Sequence, residues 1–183
     1  MTAFLSSYRR VNDAIAYLVL SMGGAIFAFA VLCSFGGAVE RYTSGHSYAW
    51  MNDLPAYLVP WAIFPVMAVV ARMDRHITVD MLPAYLKGRN RLVLQVAIRF
   101  IVLATALWFL HGGVDALRFF IPLSQTADVG FELPMPLIYL SFPLGFLLLA
   151  NFALEGLLNA IVALVNGDVA SVSQADPLSE MVE

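Results

Sequence analysis

Two ionisable side chains interrupt long apolar runs of this sequence and are the first candidates for chemistry. Arg99 lies in one such run and Glu155 in another. A charged group buried in hydrocarbon costs at least a few kcal/mol, so each side chain is expected to find a partner or to extend toward the membrane surface. We predict that Arg99 and Glu155 form an intramembrane pair, or share Asn151 as a polar neighbour. The alternative is that Arg99 reaches the inner lipid headgroups by itself.

The three histidines address a second kind of chemistry, haem ligation between facing helices. His46 and His76 fall in polar segments between apolar runs, and His111 follows the end of another run. No two of them share a mid-membrane depth on separate helices. We therefore predict no cofactor and no metal site. A haem or quinone membrane anchor subunit of a respiratory enzyme is kept as the alternative function.

Catalysis needs several titratable groups that converge in one pocket. Arg99 and Glu155 are nearly the only candidates within the apolar runs. The single cysteine, Cys33, excludes a disulfide framework and a cysteine metal cluster, and no glycine-rich phosphate loop or metal-ligand spacing is visible. We predict that the protein is not an enzyme.

The composition identifies the environment in which these residues must be positioned. The chain has 183 residues, of which 61% are hydrophobic and 13% charged, and its mean hydropathy is +0.80. Soluble domains carry about a quarter charged residues. The net charge of −3 leaves no basic surface for nucleic acid. These values predict an integral membrane protein without a nucleic-acid partner.

Four apolar runs each reach the roughly 20 residues that a helix needs to cross a hydrocarbon core. The predicted class is all-α integral membrane, with one four-helix transmembrane domain over 1–166 and a short disordered cytoplasmic tail over 167–183. The first run is too long for a secretory signal and is interpreted as a retained anchor. The predicted spans are 14–39, 51–71, 92–110 and 135–165.

The distribution of lysine and arginine predicts the orientation of these spans, because cytoplasmic loops are enriched in both. Seven of these cations lie before the first span and between the second and third spans. The other two connections hold only Arg41 and Arg118. The N and C termini and the middle connection are therefore predicted to be cytoplasmic.

The segment 72–91, between the second and third spans, combines basic residues with an apolar stripe. Four apolar residues recur there at helical spacing: Met81, Leu82, Tyr85 and Leu86. This pattern predicts a short amphipathic helix in the inner membrane interface, with its cations near anionic lipid headgroups. Asp80 is a candidate to cap that helix, or to pair with Arg72 or Arg75.

The order of residues around this segment resembles the small membrane subunit of tripartite ATP-independent periplasmic (TRAP) transporters, the DctQ-like family. In that family a tryptophan and an acidic residue precede the second helix, an arginine closes it, and a His-Ile-x-Val-Asp element follows. The matching residues here are Trp50, Asp53, Arg72 and the sequence His-Ile-Thr-Val-Asp at 76–80. Asp53 stands where glutamate is commoner. The segments 133–139 and 142–145 resemble the proline pattern that opens the family's fourth helix.

This resemblance implies a small permease subunit in the bacterial inner membrane, multi-pass and without catalytic residues. In the family, such a subunit binds a larger membrane subunit of many helices, which holds the substrate and sodium sites and moves by an elevator-type mechanism. A periplasmic substrate-binding protein delivers an organic anion to the pair. The implied role is to enlarge the static scaffold against which the transport domain moves.

Candidate contact residues follow from this assignment. Four are candidates to contact membrane lipids or the large subunit: Arg72, Arg75, His76 and Asp80. The alternative for these is a positive flank without a specific contact. Asp53 and Glu132 are candidates to dock the substrate-binding protein, and the alternative for them is a solvated loop.

Overall fold

The computed structural model describes residues 2–46, 48–73 and 89–166. The predicted interfacial helix and the predicted tail at 167–183 lie outside the described residues. The described residues contain four helices that are long and apolar enough to cross a membrane, as expected for an all-α integral membrane protein. The elements, in chain order, are α1 Thr2–Ser44, α2 Ala49–Arg72, α3 Arg89–Leu123, β1 Thr126–Asp128, β2 Glu132–Pro134, α4 Met135–Tyr139 and α5 Ser141–Asn166.

The third helix is longer than its predicted span. It continues past residue 110 to Leu123, through a polar stretch that the sequence analysis placed outside the membrane helix. In this stretch the carboxylate of Asp115 pairs with two neighbours on the same exposed face, His111 at 3.3 Å and Arg118 at 3.3 Å. Side-chain contacts at spacings of three and four residues support the helix through this stretch.

The predicted fourth span is divided into the short α4 and the long α5 at Leu140. Pro143 has no backbone N–H to donate to the carbonyl of Tyr139, and its ring clashes with the preceding turn. The Ser141 hydroxyl donates to the carbonyl of Ile138 at 2.8 Å, so one carbonyl at the break is satisfied by a side chain. The break therefore follows from local sequence.

A small antiparallel hairpin, not predicted from the sequence, joins α3 to α4. β1 and β2 pair Asp128 with Glu132, and Gly130 at the turn has a φ of +87°, which favours glycine. The Asp128 carboxylate accepts the backbone N–H of Gly130 at 2.9 Å. The turn packs on the beginning of α2, because a Cβ at Gly130 would lie 3.6 Å from the backbone nitrogen of Trp50. The hairpin thus lies at the same end of the molecule as the α1–α2 connection.

The long helices pack in the order α1, α2, α5, α3, as a row rather than a closed bundle. Where α1, α2 and α5 meet at one end, the core consists of Ala16, Ala68, Val69 and Phe152. Where α2, α5 and α3 meet, four aromatic rings pack together: Phe64, Phe109, Phe142 and Phe146. Among the described residues, this arrangement leaves one broad side of α1 and one of α3 without a neighbouring helix.

Large apolar side chains cover those two uncovered sides. Tyr17 on α1 is 77% exposed and Trp108 on α3 is 80% exposed, and both lie within membrane-length apolar helices. In a membrane protein such faces are covered by lipid or by another protein chain. The exposed apolar faces of α1 and α3 therefore lie at opposite edges of the row of helices.

The closest approach between α2 and α5 yields a prediction for Gly145→Ala. An added Cβ would lie 2.7 Å from the carbonyl carbon of Phe64 and 2.8 Å from its oxygen, so the helix backbones must separate. We expect the free energy of unfolding to fall by about 1–3 kcal/mol, as for other overpacked sites. Thermal unfolding of the detergent-purified protein, followed by tryptophan fluorescence, measures this loss.

Gly24→Ala is the matched control, since no atom lies within 4 Å of the added Cβ. Its intrinsic helix propensity changes stability by only about 0.5–1 kcal/mol, in the favourable direction. Equal thermal stability of the two variants would contradict the packing assigned to Gly145.

Candidate functional site

Polar side chains from three helices meet at the level where α2 ends. The six residues, called here the inner polar cluster, are Tyr8, Asn12, Asp13, Arg72, Asn151 and Glu155. The helix α1 supplies three of them, α5 supplies two, and α2 ends on Arg72. Because α1 and α2 are antiparallel neighbours and α5 packs on α2, residues 8–13 of α1 and 151–155 of α5 lie at the same level as the end of α2.

Glu155 is the central acceptor of the inner polar cluster. The residue is only 6% exposed. Its carboxylate accepts two hydrogen bonds from one guanidinium, from Arg72 Nε at 2.9 Å and from Arg72 Nη2 at 3.0 Å, and a third from Asn12 Nδ2 at 2.7 Å. A two-oxygen, two-nitrogen pair of this kind is directional and strong. The buried negative charge is therefore compensated by charge and by hydrogen bonds.

Arg72 extends the same contact to α1. Its Nη2 atom lies 2.8 Å from Asp13 Oδ1, and its guanidinium carbon lies 5.3 Å from the centre of the Phe152 ring. The Arg72 side chain is 15% exposed. Two carboxylates and one aromatic ring of the same chain contact this guanidinium, so its charge is compensated inside the subunit. Arg72 thus links the end of α2 to α1 and to α5.

A chain of neutral hydrogen bonds runs beside the ion pair. Asn151 Nδ2 donates to Asn12 Oδ1 at 2.9 Å, and the Tyr8 hydroxyl donates to Asn151 Oδ1 at 2.7 Å. Asn12, which is 1% exposed, therefore donates to Glu155 and accepts from Asn151. These contacts join α1 directly to α5, which otherwise pack together only slightly.

Arg99 lies at this end of the molecule as well. Its guanidinium packs on Gly156, where a Cβ would lie 3.1 Å from Arg99 Nη1. Gly156 follows Glu155 in α5, so Arg99 reaches the residue next to its predicted partner. The hydrogen bonds described for Glu155 come from Arg72 and Asn12. The pairing of Arg99 with Glu155 stays a prediction.

The other predicted site residues occupy different places. Asp53 is exposed in the second turn of α2, and Glu132 is exposed on β2, where the hairpin packs on the beginning of α2. Both therefore lie at the end opposite the inner polar cluster. Three predicted contact residues lie outside the described residues: Arg75, His76 and Asp80.

Within the described ranges, no group of three or more histidine, cysteine or acidic side chains is arranged to hold a metal ion. His46 lies in the connection after α1, and His111 lies on the exposed face of α3. The inner polar cluster joins three helices through hydrogen bonds and ion pairs, and its cation and carboxylates compensate one another in charge.

The sequence analysis missed Tyr8, Asn12 and Asp13, because they precede the span predicted to begin at residue 14. One signal was available in the sequence. Tyr8 and Asn12 are four residues apart, as are Asn151 and Glu155, so each pair projects from one face of its helix. Two such polar faces on apolar helices indicate mutual contact in a membrane.

Arg72→Met tests the ion pair. The substitution leaves the buried Glu155 carboxylate without its cation, and we expect a loss of about 3–5 kcal/mol in the free energy of unfolding. In Arg72→Met/Glu155→Gln the buried charge is gone and the amide still accepts from Asn12, so most of this loss is recovered. Chemical denaturation in detergent measures both variants.

Arg118→Met is the control, because Arg118 belongs to an exposed pair whose side chains are 74% and 52% accessible. Exposed pairs contribute at most about 1 kcal/mol. A loss for Arg72→Met no larger than for Arg118→Met would contradict the central role of the buried pair.

Comparison with known proteins adds a family to this geometry. A family model described as "Tripartite ATP-independent periplasmic transporters, DctQ component" matches residues 30–163, which is most of the chain. No curated protein matches the chain. The matched range includes α2 and α3 completely, α5 as far as residue 163, and α1 from residue 30 to its end.

Proposed function

The chain belongs to the DctQ component family of the tripartite ATP-independent periplasmic transporters, and from this we propose that it braces the large membrane subunit of such a transporter. Membership makes it a small membrane subunit of a transporter and a multi-pass protein of the inner membrane. The family is a transporter component and not an enzyme family. Membership also implies a large DctM partner and a substrate-binding protein.

In the proposed mechanism, the large subunit carries the substrate and sodium ions and moves by an elevator-type mechanism. The substrate-binding protein delivers an organic anion, and the present chain stays still as part of the scaffold. The inner polar cluster is the observation that supports this role. Glu155, the one charged residue that is buried in the described part of the chain, is compensated by Arg72 and Asn12. The negative charge of Glu155 joins helices, and it is not available to bind a transported solute.

The row of helices suits a brace. A static scaffold must present a wide surface to its partner and to lipid, and the uncovered faces of α1 and α3 provide such surfaces at opposite edges. Close packing of apolar helices in a membrane needs no polar groups at the contact. We propose that Arg75, His76 and Asp80 contact lipid or the large subunit. For Arg72 we propose bracing of α1, α2 and α5 as its main role.

Reconstituted vesicles test the proposal. The substrate is first identified by mass spectrometry of the ligand that copurifies with the cognate substrate-binding protein. Uptake of that anion down a sodium gradient is then measured with the small subunit, the large subunit, or both, always with the binding protein present. We expect uptake only when both subunits are present. Uptake by the small subunit alone, or full uptake by the large subunit alone, would overturn the bracing role.

Docking of the substrate-binding protein is proposed at Asp53 and Glu132. Both are exposed at the end of the molecule predicted to face the periplasm. Because surface charges steer association, Asp53→Lys/Glu132→Lys is expected to raise the binding-protein concentration at half-maximal uptake about tenfold at low salt, with little change in maximal rate. Uptake titrated with binding protein measures both quantities.

Gln125→Lys is the control for this docking prediction. It adds positive charge to the exposed connection before β1 and removes neither carboxylate. An equal effect of Gln125→Lys would indicate general electrostatics, and unchanged uptake in the double reversal would exclude docking at these two residues.

A further inference from the structure

A shallow groove lies between α1 and α2 at the end opposite the inner polar cluster. Its volume is about 290 Å³. The end of the groove nearest the α1–α2 connection, called its rim here, carries Arg41, Tyr42 and Asn52, and the small side chains of Ser34 and Ala38 lie farther along α1. The lining residues are Ser34, Ala38, Arg41, Tyr42 and Asn52.

The depth of the groove matches the headgroup layer of a membrane. Asn52 and Arg72 lie in one continuous helix, and a rise of 1.5 Å per residue separates them by about 30 Å, the thickness of the hydrocarbon core. Arg72 marks one polar boundary through its pairs with Asp13 and Glu155. The rim of the groove therefore lies at the other boundary, which is the periplasmic one in the predicted orientation.

Arg41 gives this rim a positive charge without a compensating carboxylate. Its Nη2 atom donates to Asn52 Oδ1 at 2.8 Å, which fixes the guanidinium over the groove. In the described ranges, no carboxylate lies within ion-pair distance of Arg41, whereas Arg72 has two such partners and Arg118 has one. A fixed guanidinium at headgroup depth favours a phosphate oxygen as its acceptor.

The α1 side of the groove changes from polar to apolar along its length. Ser34, Ala38 and Arg41 follow one another at spacings of four and three residues, so they lie along one stripe of the helix. The stripe continues toward the membrane centre through the exposed side chains of Val31 and Phe27. Along this stripe the side chains change from charged to apolar, in the same order in which a phospholipid changes from headgroup to acyl chain.

We propose that this groove binds a phospholipid of the adjacent leaflet. The phosphate accepts hydrogen bonds from Arg41, the glycerol region lies over Ser34 and Ala38, and one acyl chain follows Val31 and Phe27. Tyr42, which is 95% exposed, occupies the interfacial depth preferred by amphipathic rings. A free inorganic or organic anion would use only the rim, and the apolar stripe below it favours the lipid. This proposal requires membrane insertion but does not depend on the bracing role.

Native mass spectrometry of the detergent-purified complex with the large subunit tests the proposal. The complex is incubated with phosphatidylglycerol, and the lipid-bound fraction is measured for the wild type and three variants. Arg41→Ala removes the cation, and Ala38→Leu fills the groove without a change of charge. Both are expected to lower the apparent affinity about tenfold, the effect of one lost charge-assisted hydrogen bond or of comparable steric exclusion. Arg118→Ala, which removes the paired arginine of α3, is expected to bind as the wild type does.

A second measurement locates the lipid. A phosphatidylglycerol analogue with a photoreactive acyl chain is expected to crosslink to the peptide that contains Phe27 and Val31, and the yield is expected to fall in Arg41→Ala. Unchanged binding in both Arg41→Ala and Ala38→Leu would overturn the proposal. Competition by millimolar inorganic phosphate would assign the rim to free anions instead. Binding to the small subunit alone but not to the complex would show that the large subunit covers the groove, and this result would also overturn the proposal.

Discussion

The buried pair between Arg72 and Glu155 is the contact on which the arrangement of the first, second and last long helices depends. In hydrocarbon, apolar side chains gain little by leaving lipid for one another, so polar contacts and close packing must determine how helices associate. Here α1 packs on α5 only slightly, yet Asn12 and Arg72 join both to the same carboxylate. One compensated charge therefore joins the end of α2 to α1 and to α5 at a common level.

The remainder of the row relies on shape rather than charge. Gly145 lets α5 approach the backbone of α2 at Phe64, and the aromatic rings of Phe109 and Phe142 continue this contact toward α3. Because the helices lie side by side, the chain encloses little of its own apolar surface and leaves wide faces on α1 and α3. Such a shape suits a protein that is completed by lipid and by a larger neighbour, as the family implies.

The sequence was sufficient to predict the number of spans, the all-α class and the family, because hydropathy and residue order are local properties. It did not predict that α3 continues to Leu123, since Asp115 and Arg118 lower the hydropathy while their mutual contact supports the helix. The inner polar cluster was missed for a different reason. Asn12 lies before the apolar run, and its partner Glu155 is distant in sequence, so their contact depends on helix packing. The pairing of Arg99 with Glu155 stays a prediction.

A brace must keep its shape while its partner moves, and this can be measured as a distance. Spin labels at Val11 on α1 and Asn159 on α5, both exposed and near the inner polar cluster, report the separation of the two helices by pulsed electron resonance in a Cys33→Ala background. The complex with the large subunit is measured without ligands, with sodium, and with sodium and loaded binding protein. The account predicts one narrow distance distribution in all three states. A shift of the distribution during transport would mean that this chain changes its shape while the partner moves, which contradicts a static brace.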